Sequence, residues 1–263
     1  MSGEILRRVE HRFAKSADGV KIHYAALGQG KPLVLVHGLG ESYLTWKPQL
    51  QFFPEQGFRV LAVDLRGHGD SEIPSKRITM EDFAGDVESV LRAEGLGKAL
   101  MIGYSMGGLV LLELYEQSPN LFEKLVLEAV APEYPPAMTE LLENMSMHEI
   151  AAQVAEFAVS PTASAELKKD IYAIISKTDK RVYIQSAEAA TQRSYYGILT
   201  MLQVPTLIIS GELDYISPPE VAEEISRIVK GSRKIVFPKV GHMPHRENPE
   251  EYNKAVLEFL KGA

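Results

Sequence analysis

The chain has 263 residues, 45% of them hydrophobic and 24% charged; these are ordinary globular values, so a packed core forms without staples, and disordered or fibrous classes are excluded. Its 28 basic and 35 acidic side chains leave a formal charge of -7, and the scattered lysines and arginines form no basic stripe, which argues against nucleic acid as a partner. With no cysteine, disulfides, thiolate metal sites and thiol catalysis are removed together, and a reducing compartment fits.

The opening MSGEILRRVEHRF carries charges where a secretory signal needs its apolar stretch, and no run approaches the ~20 apolar residues of a membrane span. A cytoplasmic location without a membrane partner is expected. In chain order, Val9 to Lys15 and Val20 to Leu27 read as a hairpin around Ala17-Asp18-Gly19, because Asp-Gly supplies the positive φ of a tight turn. From Leu33 the pattern becomes short, continuously apolar strands alternating with amphipathic helices, which is how a parallel sheet covered on both faces reads. The predicted strands are Leu33 to Val36, Arg59 to Asp64, Ala99 to Gly103, Lys124 to Glu128, Thr206 to Ser210 and Lys234 to Phe237. Between them, Phe83, Val87, Val90 and Leu91 predict a helix capped by Thr79 and Asp82. Tyr252, Val256, Phe259 and Leu260 predict a closing helix starting at Pro249.

Roughly 75 residues separate the sixth strand from the seventh, too many for a plain loop in a compact domain. They open with Ala131-Pro132-Glu133-Tyr134-Pro135-Pro136 and leave room for two or three helices, one carrying Leu141, Leu142 and Met145, another Leu167, Ile171, Ile174 and Ile175. The expected organisation is therefore an α/β fold: a mostly parallel, doubly wound sheet built from residues 1–131 and 201–263, with a small helical cap over residues 132–200 inserted after the sixth strand.

Gly103-Tyr104-Ser105-Met106-Gly107 is a GxSxG pattern placed directly after a strand and directly before a helix. A serine on such a turn is pushed out of the sheet, and the flanking glycines remove Cβ clashes. A serine hydroxyl needs a base, and the base needs a group that fixes its tautomer. Of the seven histidines, His242 follows the last strand with Gly241 before it and is preferred to His245. Asp214, after the strand at 206–210, emerges at the same edge in the order Ser, Asp, His. Glu128, at the end of the sixth strand, is the alternative acid.

With these residues in place the sequence resembles α/β-hydrolase-fold serine hydrolases, the carboxylesterases and enol-lactonases, over essentially its full length. His37-Gly38-Leu39-Gly40 and the run Asp64 to Ser71 are further landmarks of that resemblance. It implies that the amides of Leu39 and Met106 form an oxyanion hole, that residues 66–71 brace the catalytic loops, and that an ester is cleaved through an acyl-enzyme on Ser105 with no metal or other cofactor. The expected partner is a small to medium, fairly apolar ester; a secreted lipase fits the composition less well. A serine at the elbow argues against haloalkane dehalogenase and epoxide hydrolase chemistry, which need a carboxylate there. Enol-lactone hydrolysis and carbon–carbon bond hydrolysis stay open, as does perhydrolase side activity. A non-catalytic ligand receptor of the same fold is the alternative from another class, against which the intact triad speaks.

Among the remaining residues, His37 and His68 read as structural groups near the site, and His11, His23 and His148 as surface or cap residues. Glu41, Asp64 and Glu247 read as solvated or loop-bracing carboxylates, and no His and Asp spacing suggests a metal. Trp46 and Tyr104 are candidate pocket walls. Met138, Met145 and Met147 read mainly as cap packing, with an adaptable acyl pocket as their other use.

Overall fold

The computed structural model describes residues 8–262; most of the charged N-terminal stretch, residues 1–7, lies outside them. Eight strands form one sheet in the order β1-β2-β4-β3-β5-β6-β7-β8: β1 Glu10–Lys15, β2 Lys21–Leu27, β3 Lys31–Val36, β4 Phe58–Val63, β5 Ala99–Tyr104, β6 Phe122–Glu128, β7 Thr206–Gly211 and β8 Arg233–Phe237. The β1–β2 and β2–β4 pairings are antiparallel and the rest parallel. The helices in chain order are α1 Lys47–Phe52, α2 Met80–Ala93, α3 Met106–Gln117, α4 Thr139–Asn144, α5 Met147–Phe157, α6 Ala165–Ile175, α7 Lys180–Ala190, α8 Tyr196–Leu199, α9 Pro219–Ile228, α10 Pro244–Glu247 and α11 Pro249–Lys261.

Successive residues of a strand face opposite sides of the sheet. Val34 and Val36 accordingly join one core with α2 and α3 residues such as Phe83 and Leu109, while Leu33 and Leu35 join a second core with Leu50, Tyr252 and Val256. Two filled faces explain why the central strands are apolar without alternation. The cap on α2 forms as expected, with the Asp82 amide donating to Thr79 Oγ1 at 3.2 Å and the Thr79 amide donating to Asp82 Oδ2 at 3.1 Å.

Between β6 and β7 the chain forms five helices, α4 to α8, where two or three were expected. The two expected apolar stripes lie on α4 and α6. Of the others, α5 and α7 have 11 residues each and start on their own Ser146 and Asp179 caps, and α8 is a single turn too brief to leave a periodic signal.

Arg66 ties the loop after β4 to the rest of the molecule. Its guanidinium donates to Asp86 of α2 at 2.7 Å and to Asp18 of the β1–β2 turn at 2.9 Å, and it pairs with Asp82. Among the described residues, no helix is long and apolar enough to cross a membrane.

Candidate active site

Ser105 sits between β5 and α3 at φ 51° and ψ −121°, a left-handed conformation that costs a non-glycine residue roughly 1–3 kcal/mol. The turn is held from both sides. The Ser105 amide donates to the Glu128 carbonyl at 2.8 Å, and the Gly108 amide donates to the Ser105 carbonyl at 2.9 Å. Gly107 passes directly under β3, where any Cβ would run into the carbonyls of Val36 and His37. The elbow thus needs a glycine at 107 for close approach.

The three residues predicted from sequence come together at the carboxyl edge of the sheet. Ser105 Oγ lies 3.0 Å from His242 Nε2, and His242 Nδ1 lies 2.8 Å from Asp214 Oδ2. The other oxygen of Asp214 accepts the amides of Ile216 and Ser217, each at 2.9 Å, so the carboxylate is anchored as an acceptor. That requires the proton on Nδ1 and leaves the Nε2 lone pair for the Ser105 hydroxyl. The His242 loop is itself fastened: its amide donates to the Ala158 carbonyl, and Glu247 accepts the amides of Gly241 and Ser160.

Glu128 and His245, the alternatives for acid and base, are not brought to Ser105. They are buried against each other, with His245 Nδ1 at 2.8 Å from Glu128 Oε1, Tyr252 donating to Glu128 Oε2 at 2.8 Å, and His245 Nε2 facing Thr45 Oγ1 at 3.0 Å. Trp46 is buried against the His245 ring and does not line the cavity at Ser105, whereas Tyr104 does.

Leu39 lines that cavity, and Met106 follows Ser105 directly in the chain. Met106 opens α3, so its amide belongs to the first turn, whose donors have no intrahelical acceptor. The Leu39 segment is shaped by two buried histidines. His37 donates from Nδ1 to the Gly38 carbonyl and accepts the Leu65 amide at Nε2; His68 donates from Nδ1 to the Arg66 carbonyl and accepts the Gly40 amide at Nε2. Protonating either ring would set an N–H against an N–H. Burial pushes His37 down to about 3 and His68 to about 4, from an ordinary 6.5.

As pH drops below 6.5, the unfolded chain takes up protons that these two rings refuse in the folded state. Their contribution to stability is complete above that pH and fades as pH falls through about 4 and about 3. The loss is at most about 5 kcal/mol for His37 and about 3 kcal/mol for His68. Urea midpoints measured from pH 7 to pH 4 are expected to fall less steeply in His37→Asn and His68→Asn than in the wild type; equal slopes would refute the assignment.

Two polar groups near Ser105 were not expected there. Glu41 is buried in the cavity wall rather than solvated, and burial pushes its carboxyl pKa up. Tyr134, from the Pro-rich stretch after β6, accepts the Ala131 amide at 3.2 Å, with its hydroxyl close to those of Ser105 and Ser217. His23 is buried rather than on the surface, because Asp64, also buried, takes its Nδ1 proton at 2.7 Å. The methionines of the β6–β7 segment do not reach the site: Met138 is 69% exposed, and Met145 and Met147 pack beside the second core. The cavity itself has about 130 Å³, walled on the far side by Val154, Ala158, Ile175 and Tyr183.

A doubly wound α/β sheet that presents a serine, an imidazole and a carboxylate at its carboxyl edge has the build of an α/β-type hydrolase. A model of the alpha/beta hydrolase family matches residues 33–255, and the chain belongs to that family. Among solved structures it is similar to a thermophilic esterase from Thermogutta terrifontis, with 27% identity and TM-score 0.89 over 96% of this chain and 98% of that one. It is also similar to the enol-lactonase from Burkholderia xenovorans LB400, with 26% identity and TM-score 0.87 over 95% of this chain and all (100%) of that one. Among curated proteins, Epoxide hydrolase 3 of Xenopus tropicalis is 25% identical over 96% of this chain and 78% of its own length.

Proposed function

We propose that this hydrolase cleaves small carboxylic esters through an acyl-enzyme on Ser105, with His242 as base and Asp214 as its orienting acid. The observation that carries the proposal is the unbroken relay from Ser105 Oγ through both nitrogens of His242 to Asp214, at 3.0 and 2.8 Å. Ser105 Oγ attacks the ester carbonyl while its proton passes to His242 Nε2. The amides of Leu39 and Met106 hold the tetrahedral oxyanion, and losing one such donor typically costs ~10²–10³-fold in rate. His242 returns the proton to the departing alcohol, then takes one from the water that hydrolyses the acyl-enzyme, and Asp214 stabilises the imidazolium formed each time. Residues 132–200 act as a cap, since α5 to α7 supply the apolar wall opposite Ser105.

A cavity of about 130 Å³ is below the ~300–1,000 Å³ of drug-sized sites, which favours short acyl chains. A side chain of serine at the elbow cannot form the alkyl ester of epoxide opening, so the epoxide hydrolase relatives do not set the substrate class. The Burkholderia enol-lactonase makes lactones the second class to test. Turnover of p-nitrophenyl acetate, butyrate and octanoate, an enol-lactone and a β-diketone should favour acetate and butyrate. Lactone turnover with inert esters would replace ester hydrolysis by the lactonase reading, and failure of every substrate would leave the receptor reading.

A further inference from the structure

We propose that His11, His23 and Asp70 form a binding site for a divalent transition-metal ion of the zinc type at the β1–β2 edge of the sheet. His11 Nδ1 lies 2.9 Å from His23 Nε2, and with a carboxylate oxygen of Asp70 all three ligand atoms fall within 4.8 Å of one another. The strand register makes this meeting possible. Phe13 pairs with His23 and His11 pairs with Ala25, so the two histidines are diagonal neighbours on one face of the hairpin. Asp70 arrives from the loop after β4.

The arrangement is prepared from behind. Asp64 accepts His23 Nδ1 at 2.7 Å together with the amides of Tyr43 at 2.6 Å and Asp70 at 3.0 Å. Three donors on one buried carboxylate put the His23 proton on Nδ1 and aim the Nε2 lone pair at His11 and Asp70. A ligating histidine whose other nitrogen donates to a carboxylate is the usual support of a metal site. Here the same carboxylate also holds the backbone of the third ligand. Tyr43 meets both imidazoles edge-on, at 5.6 and 5.4 Å between ring centroids, and limits their rotation. His11 and Asp70 are exposed, which gives an ion a path from solvent.

Two imidazoles and one carboxylate suit zinc, cobalt, nickel or copper rather than calcium or magnesium, and three protein ligands leave a position for water. With metal–nitrogen bonds of about 2.0–2.1 Å, tetrahedral ligands stand about 3.3 Å apart. Occupation therefore needs His11 to back away slightly and Asp70 to swing inward, both movements of exposed side chains. The ion would fasten β1 to the loop at 64–71, which contacts the Leu39 segment through His68. Without a metal the two rings are a hydrogen-bonded pair, so the site folds empty and binding adds stability.

The test uses the full chain stripped with EDTA. Co²⁺ titration followed by visible absorption, and Zn²⁺ titration by calorimetry, are expected to show one high-affinity ion per chain. Zn²⁺ at a hundredfold excess over its Kd should raise the melting temperature by roughly 5–8 °C. His11→Ala and Asp70→Asn alter exposed side chains and should lose the cobalt bands or weaken binding at least tenfold, and His11→Ala should leave ester turnover unchanged. No stoichiometric Co²⁺ or Zn²⁺ binding, or binding retained in His11→Ala, overturns the proposal. An unfolded variant is recognised by circular dichroism, and the wild-type stoichiometry then decides alone.

Discussion

Ser105→Ala is expected to lower turnover of p-nitrophenyl acetate by about 10⁶-fold, the usual cost of deleting the nucleophile of such a relay. The variant should be as stable as the wild type to within about 0.5 kcal/mol. Alanine keeps the Cβ, so the left-handed backbone at 105 carries the same strain, and the hydroxyl makes no contact that fixes the fold. The elbow is held instead by the Ser105 amide on the Glu128 carbonyl and by the close approach of Gly107 to β3, neither of which involves Oγ. Some rate should survive, about 10³–10⁴-fold over water, because the Leu39 and Met106 amides and the apolar wall stay in place. A folded Ser105→Ala that matches the wild type would mean that hydrolysis occurs elsewhere on the molecule.

The contrast between this site and its surroundings shows what a sequence displays. All eight strands follow from apolar runs and turn residues, and they place Ser105, Asp214 and His242 at one edge because each lies a residue or a few past a strand end. Position alone could not separate Asp214 from Glu128 or His242 from His245, since all four lie near the carboxyl edge. The structure joins the two rejected residues to each other, beneath Tyr104 and Trp46. That pairing spans 117 positions, and no local pattern reports it. The burial of His23 and Glu41 was missed for the same reason: a polar side chain enters a core only when partners satisfy it, and the partner of His23, Asp64, is 41 positions away. The segment between β6 and β7 was blurred for another reason: its five helices run from 4 to 11 residues, and at that length adjacent amphipathic stretches leave few periodic positions by which to tell one helix from the next.

Asp214→Asn and Glu128→Gln should separate a group that orients the base from one that holds the fold. Asparagine at 214 offers its oxygen or its amide to His242 Nδ1, and the amide would force the proton onto Nε2, where it blocks acceptance from Ser105. Turnover should fall by about 10⁴-fold with little change in shape. Glu128 has no contact with His242. Its two oxygens take the His245 amide, the His245 ring and the Tyr252 hydroxyl, and a glutamine there keeps both His245 contacts only by turning its amide N–H onto the Tyr252 oxygen, which leaves the buried Tyr252 hydroxyl proton without its acceptor. A buried donor left unsatisfied in this way costs about 1–3 kcal/mol. Glu128→Gln is therefore expected to lower the urea midpoint clearly while reducing kcat by less than about tenfold, since the elbow hangs on its backbone carbonyl and not on its carboxylate. Measured side by side, kcat should single out Asp214 and the urea midpoint should single out Glu128; a loss near 10⁴-fold in Glu128→Gln, with Asp214→Asn active, would reverse the assignment of the acid.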